Sequence, residues 1–82
     1  MRIEVAKLVG AKVLAGALSG RKVLTKLLEL TRQEPLEPAP VFLDFAGVNV
    51  ATASFLRETV LAYRDAVRRR RSNFYPVIAN AN

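Results

Sequence analysis

The spacing of apolar residues changes several times along the chain, and each pattern predicts an element. Over residues 2–8, Ile3, Val5 and Leu8 are set against Glu4 and Lys7, the period-two alternation of a strand with one wet face. Gly10 and Gly16 punctuate the next stretch, and residues 11–14 read as a short return strand. From Ser19, the predicted N-cap, Val23, Leu24, Leu27, Leu28 and Leu30 recur at three- and four-residue spacing, with Arg21, Lys22, Lys26 and Glu29 opposite. That is an amphipathic helix, and it must stop before Pro35. Pro35, Pro38 and Pro40 then make residues 34–40 an extended connector within a domain.

Residues 41–45 form a nearly continuous apolar run between Pro40 and Gly47, too short for a helix, so they read as a buried central strand ending near Asp44. After a turn at 47–49, Thr52 or Ser54 caps a second helix running to about Arg71. Its predicted core stripe is Leu56, Val60, Tyr63 and Val67, with Phe55, Thr59, Ala62 and Ala66 beside it. Ser72 and Asn73 break that helix, and residues 74–79 are a third apolar strand whose Pro76 suits a sheet edge. The order β(β)αβαβ predicts an α/β fold: a small mixed, mainly parallel sheet with both helices on one face, because parallel crossovers are right-handed. The opposite face then lacks cover, which predicts a homo-oligomer, a partner or further C-terminal sequence.

At 82 residues the chain has room for one domain spanning 1–82. A hydrophobic share of 51% is too high for a disordered tail. Lys7, Lys12, Arg21, Lys22 and Lys26 interrupt the greasiest stretch too often for a membrane span. Glu4 and Lys7 break any secretory apolar segment, which points to a cytoplasmic address. With no cysteine and no histidine, disulfides, thiolate metal sites, thiol nucleophiles and the usual general base are excluded; no catalytic residue, metal or cofactor is predicted. The net charge of +6 favours acidic partners, but Arg68, Arg69, Arg70 and Arg71 supply most of it, and without that run the chain would carry only about +2.

The segment 41–58, reading VFLDFAGVNVATASFLRE, resembles the core motif of the STAS superfamily, the domain of sulfate transporters and anti-sigma-factor antagonists. That motif is an apolar strand ending in Asp, a small turn with Gly and Val, and a Ser-bearing loop opening a helix. Together with IEVAKLVG at 3–10 and the helix around Gly20, it is similar to bacterial STAS-like domains of unknown function, some of which accompany ATPases of the histidine-kinase type. The resemblance implies a bacterial, non-catalytic regulatory domain that binds a protein partner, such as a kinase-like ATPase. In antagonist members a serine opening the second helix is phosphorylated and charge there breaks the partner contact. Aligning Asp44 and Gly47 puts that position on Ala53, with Thr52 and Ser54 beside it, and the chain ends where the family adds another helix.

Asp44, Thr52 and Ser54 are therefore the candidate partner-binding or regulatory residues, set against simple turn-capping and helix-capping roles. The rival is a small basic nucleic-acid-binding protein using Arg68, Arg69, Arg70 and Arg71 with Arg64. Cations at a helix C-terminus also offset the macrodipole, and only Phe74 and Tyr75 adjoin the run, too few for base stacking, so nucleic acid is the lesser expectation. Residues 10–16 are glycine-flanked but lack the Gly-Lys-Ser/Thr ending of a phosphate loop.

Overall fold

A computed structural model describes residues 1–81. Three parallel strands in spatial order β1-β3-β5 form its frame: β1 (Arg2–Glu4), β3 (Ala39–Asp44) and β5 (Phe74–Ala79). Central β3 aligns Leu43 with Ile3 on one side and Ile78 on the other. Val41 and Leu43, on the helix-bearing face, have no exposure, whereas Phe42 on the other face is half-buried. The fold is thus α/β, a small mostly parallel sheet carrying its two long helical segments on one face.

The first long helix, α2 (Ala17–Leu30), buries Val23 and Leu27 in the shared core. The second is a continuous rod: α3 (Ala53–Leu56), a π-helical turn (Arg57–Leu61) and α4 (Ala62–Arg69). The rod meets α2 at Gly20, where a Cβ atom would sit 2.7 Å from Phe55 O and 3.0 Å from Thr59 Oγ1. Only a residue without a side chain permits that approach. Thr59, at the middle of the π-helical turn, donates its hydroxyl to Gly20 O at 3.0 Å, so its buried polar atom is satisfied across the seam. One turn on, buried Tyr63 donates to Thr31 Oγ1 at 3.0 Å, and Thr31 donates to Leu27 O at 2.7 Å.

This seam turns the rod relative to the predicted stripe. The core-facing residues are Phe55, Thr59, Tyr63 and Val67, while Leu56 and Val60 are only partly buried. The first strand is also shorter than its alternation predicts. β1 ends at Glu4, and Val5–Val9 forms the short helix α1, in which Val5, Leu8 and Val9 share a face. Lys7 pairs with Glu4 at 2.9 Å, and Gly10, at φ 78°, closes the turn by donating to Ala6 O at 2.8 Å.

The expected return strand is β2 (Val13–Leu14), but it pairs in parallel with β4 (Val50–Ala51) and not with β1. Helix α2 begins at Ala17 with Gly16 at its N-cap, so Ser19 lies inside the first turn and is not the cap. The rod ends at Arg69, two residues before the predicted limit. The central strand starts two residues early, taking Ala39 and Pro40 from the expected connector; of the two candidate caps Thr52 is the one used, and the edge strand carrying Pro76 stands as the sequence predicts.

Candidate functional site

The C-terminal ends of β3 and β5 and the start of the rod converge at one end of the sheet, where α/β folds place ligand contacts. Asp44, only 3% exposed, closes β3. Its Oδ1 accepts from Ala46 N–H at 2.9 Å and from the Asn80 amide at 2.8 Å, and its Oδ2 pairs with Arg2 Nη1 at 2.6 Å. The Asn80 amide first, then the Ala46 N–H and the Arg2 guanidinium, hold its carboxyl below the ordinary aspartate range against the opposing effect of burial. A carboxylate so engaged ties β1, β3 and the segment after β5 together and starts the next turn as an Asx turn. Arg2 also lies over the Phe42 ring, 5.8 Å from its centroid, and so covers part of the helix-free face.

Thr52 is the N-cap of α3, and its Oγ1 accepts from Phe55 N–H at 3.2 Å. The same oxygen accepts from Gly16 N–H, the N-cap residue of α2, also at 3.2 Å. One hydroxyl therefore meets a backbone donor at the start of each long helical segment. Ser54 Oγ lies 3.2 Å from Thr52 Oγ1 and is half-buried, while Ala53 is exposed. The structure brings Thr52 and Ser54 together and leaves Asp44 on a separate network.

Beside this helix start lies a groove of about 500 Å³ that sequence reasoning did not identify. Phe45 and Val48 come from the turn after β3, Leu56, Val60 and Leu61 from the rod, and Ile78 from β5. Leu61 and Ile78, each 44% exposed, sit together at the groove's rim. The groove exists because the seam with α2 draws Phe55 and Thr59 inward and leaves Leu56 and Val60 pointing along the outer flank. The one signal in the sequence was an apolar band too wide for a single buried face, with both 55/59 and 56/60 apolar or small.

The arginine run divides. Arg70 turns inward: Nε and Nη2 each lie 2.9 Å from Glu34 Oε2, and Nη2 donates to Thr31 O at 2.5 Å. Ser72 and Asn73 N–H complete the Glu34 cluster, with Asn73 N–H donating to Oε1 at 2.9 Å. That N–H first, then the Ser72 hydroxyl and Arg70, hold the Glu34 carboxyl below its ordinary range. Arg70, still partly exposed, is thus a strut between the end of α2 and the end of the rod. Arg69 is exposed in the last turn of α4, and Arg68 beside it suits the helix dipole. Arg64, Arg68 and Arg71 line a second recess of about 370 Å³ with Ser72, Tyr75 and Pro76.

Among the described residues no cluster of acidic, cysteine or histidine side chains is arranged to hold a metal ion, and no helix is long and apolar enough to cross a membrane. Asn49 is the polar member of an otherwise apolar groove lining, so the chemistry on offer there is recognition of apolar surface. No protein-family model, no curated protein and no solved structure matches the chain.

Proposed function

We propose that this chain is a non-catalytic, STAS-like regulatory domain that binds a protein partner through the start of the rod and the groove beside it. The observation that carries the reading is the groove itself: about 500 Å³ of nearly all-apolar space adjoining the segment 41–58 that resembles the STAS motif. The resemblance makes an ATPase of the histidine-kinase type the partner to look for. Ser54 is the regulatory candidate. Thr52 Oγ1 already serves two backbone N–H groups, so a phosphate there would disrupt both helix starts, whereas Ser54 contacts only the Thr52 hydroxyl among its side-chain bonds.

Affinity purification of the full chain from its native cells, with mass spectrometry of what is retained, tests the reading. One ATPase-bearing protein should be held in stoichiometric amount. It should be lost with the double variant Leu61→Asp/Ile78→Asp and weakened by Ser54→Asp, with folding intact in both. Retention unchanged by the groove variants, or recovery of DNA or RNA whose binding falls steeply with salt, would refute it and favour the nucleic-acid reading.

A further inference from the structure

The outer flank of the rod changes chemistry halfway along. Leu56, Val60 and Leu61 line the apolar groove, and Arg64, Arg68 and Arg71 line the second recess. Leu56, Val60, Arg64 and Arg68 follow one another at four-residue steps along the rod, about 18 Å at the helical rise, and Arg71 continues the basic recess from the turn after the rod's end. β5 forms the opposite wall throughout, with Ile78 at the apolar end and Tyr75 and Pro76 at the basic end. The two recesses share no lining residue but lie end to end between the rod and β5, as a furrow that changes chemistry along its length.

The walls of the furrow restrict what fits it. Ala39 N–H donates to Asn73 O and Phe45 N–H to Ala79 O, so odd-numbered residues of β5 face β3 and Phe74, Pro76 and Ile78 face the free edge. Phe74 N–H is already given to Ser72 Oγ at 3.0 Å, and Pro76 has none. Two of the three outward donors are gone, and an added strand would find little to pair with. A flat bilayer does not enter a concave groove. No Asp or Glu lines either recess, so the positive end has no counterpart within the furrow. Arg64 is poorly met: its Nη2 is 3.5 Å from its neighbour Asp65, and its Nε is enclosed with no hydrogen-bond partner.

We infer that the furrow seats an amphipathic helix of a partner protein, its leucine-like side chains in the groove and its Asp or Glu carboxylates against Arg64, Arg68 and Arg71. The row calls for about 12 residues of helix, a little over three turns, apolar at one end of the buried stripe and acidic at the other. Carboxylates bind guanidinium groups in bidentate fashion and oppose like-charged competitors, so the basic half fixes partner choice and orientation while the apolar half supplies most of the contact.

This inference rests on the reading that the groove docks a protein, and it names the chemistry of that partner. Selection of a display library of helical 18-mers against the folded full chain tests it. Enriched peptides should carry apolar residues along the first two turns of one stripe and Asp or Glu along the last two. Arg64→Glu/Arg68→Glu should weaken them at least ~10-fold, and exchanging the peptide acids for lysine should restore binding to that variant, which shows a folded surface. Enriched peptides without acids, or indifferent to the charge reversal, overturn the inference. So does charge-sensitive binding confined to a DNA duplex or to vesicles containing phosphatidylserine. If the native partner is lost with Leu61→Asp/Ile78→Asp but kept by Arg64→Glu/Arg68→Glu, the docking groove stands and the acidic helix fails.

Discussion

Against α2, the rod formed by α3, the π-helical turn and α4 buries Phe55, Thr59 and Tyr63 with no exposure; toward β5, the same rod leaves Leu61 44% exposed and three arginines along an open recess. The inner flank is a finished interface. Backbones meet at Gly20, Thr59 and Tyr63 have hydrogen-bond partners, and little room is left. The outer flank has the shape and chemistry of half an interface. Helices of one sheet layer pack about 8–10 Å apart, and the space beside the rod over the edge strand is where a third helix of such a layer would lie. Substitutions on the two flanks should therefore separate cleanly: inner-flank changes alter folding, outer-flank changes alter binding.

The largest expected effect is at Gly20. Valine there places Cβ against a backbone oxygen that has no rotamer to escape into, and Gly20→Val should cost about 3 kcal/mol, lowering the melting temperature by ~12–24 °C. Circular dichroism melting measures it; a loss below ~1 kcal/mol would mean the seam is looser than described. Next is Tyr63→Phe, which removes the donor to Thr31 while keeping the ring, for an expected loss of about 1 kcal/mol by urea unfolding.

Acid should act on the struts at both ends of the sheet. The folded pKa values of Asp44 and Glu34 lie below their ordinary values, so their contribution is fully present above ~pH 5 and is lost as pH falls through the depressed folded values. The urea midpoint should hold steady from pH 7 to 5 and fall below ~pH 4, and Asp44→Asn should flatten part of that fall. An acid limb identical in wild type and Asp44→Asn would mean that Asp44 carries no part of it. The smallest effect on folding is at the groove rim, where Leu61→Asp should stay within ~0.5 kcal/mol of wild type.

Much of this was legible in the sequence because it rests on local chemistry. The leucine spacing of α2, the apolar run of β3, the Thr52 cap and Pro76 on an edge strand each follow from a residue and its near neighbours. One misreading was local, and the others needed contacts from distant parts of the chain. Val5 suits strand and helix alike, and the Glu4–Lys7 pair with Gly10 decides for α1. Two-residue strands β2 and β4 have no periodicity to detect, since each is defined by the other. Phe55 and Thr59 face inward in place of Leu56 and Val60 because Gly20, 35 or more positions earlier, admits them. Arg70 is set apart from the rest of the basic run by Glu34, a residue in the proline-rich connector, and by Thr31 O. The candidate site was half visible: Thr52 and Ser54 by motif, the groove not at all, since its lining comes from the turn after β3, the rod and β5 together.

Whether the outer flank is kept open for a partner is decided by measuring stability and partner retention on the same preparation of Leu61→Asp/Ile78→Asp. An open docking flank predicts a urea midpoint close to wild type, a stability change no larger than ~1 kcal/mol for the two surface positions, and loss of the partner by at least ~10-fold in affinity. A partner held as tightly as by wild type, or a chain that unfolds before binding can be measured, would contradict it.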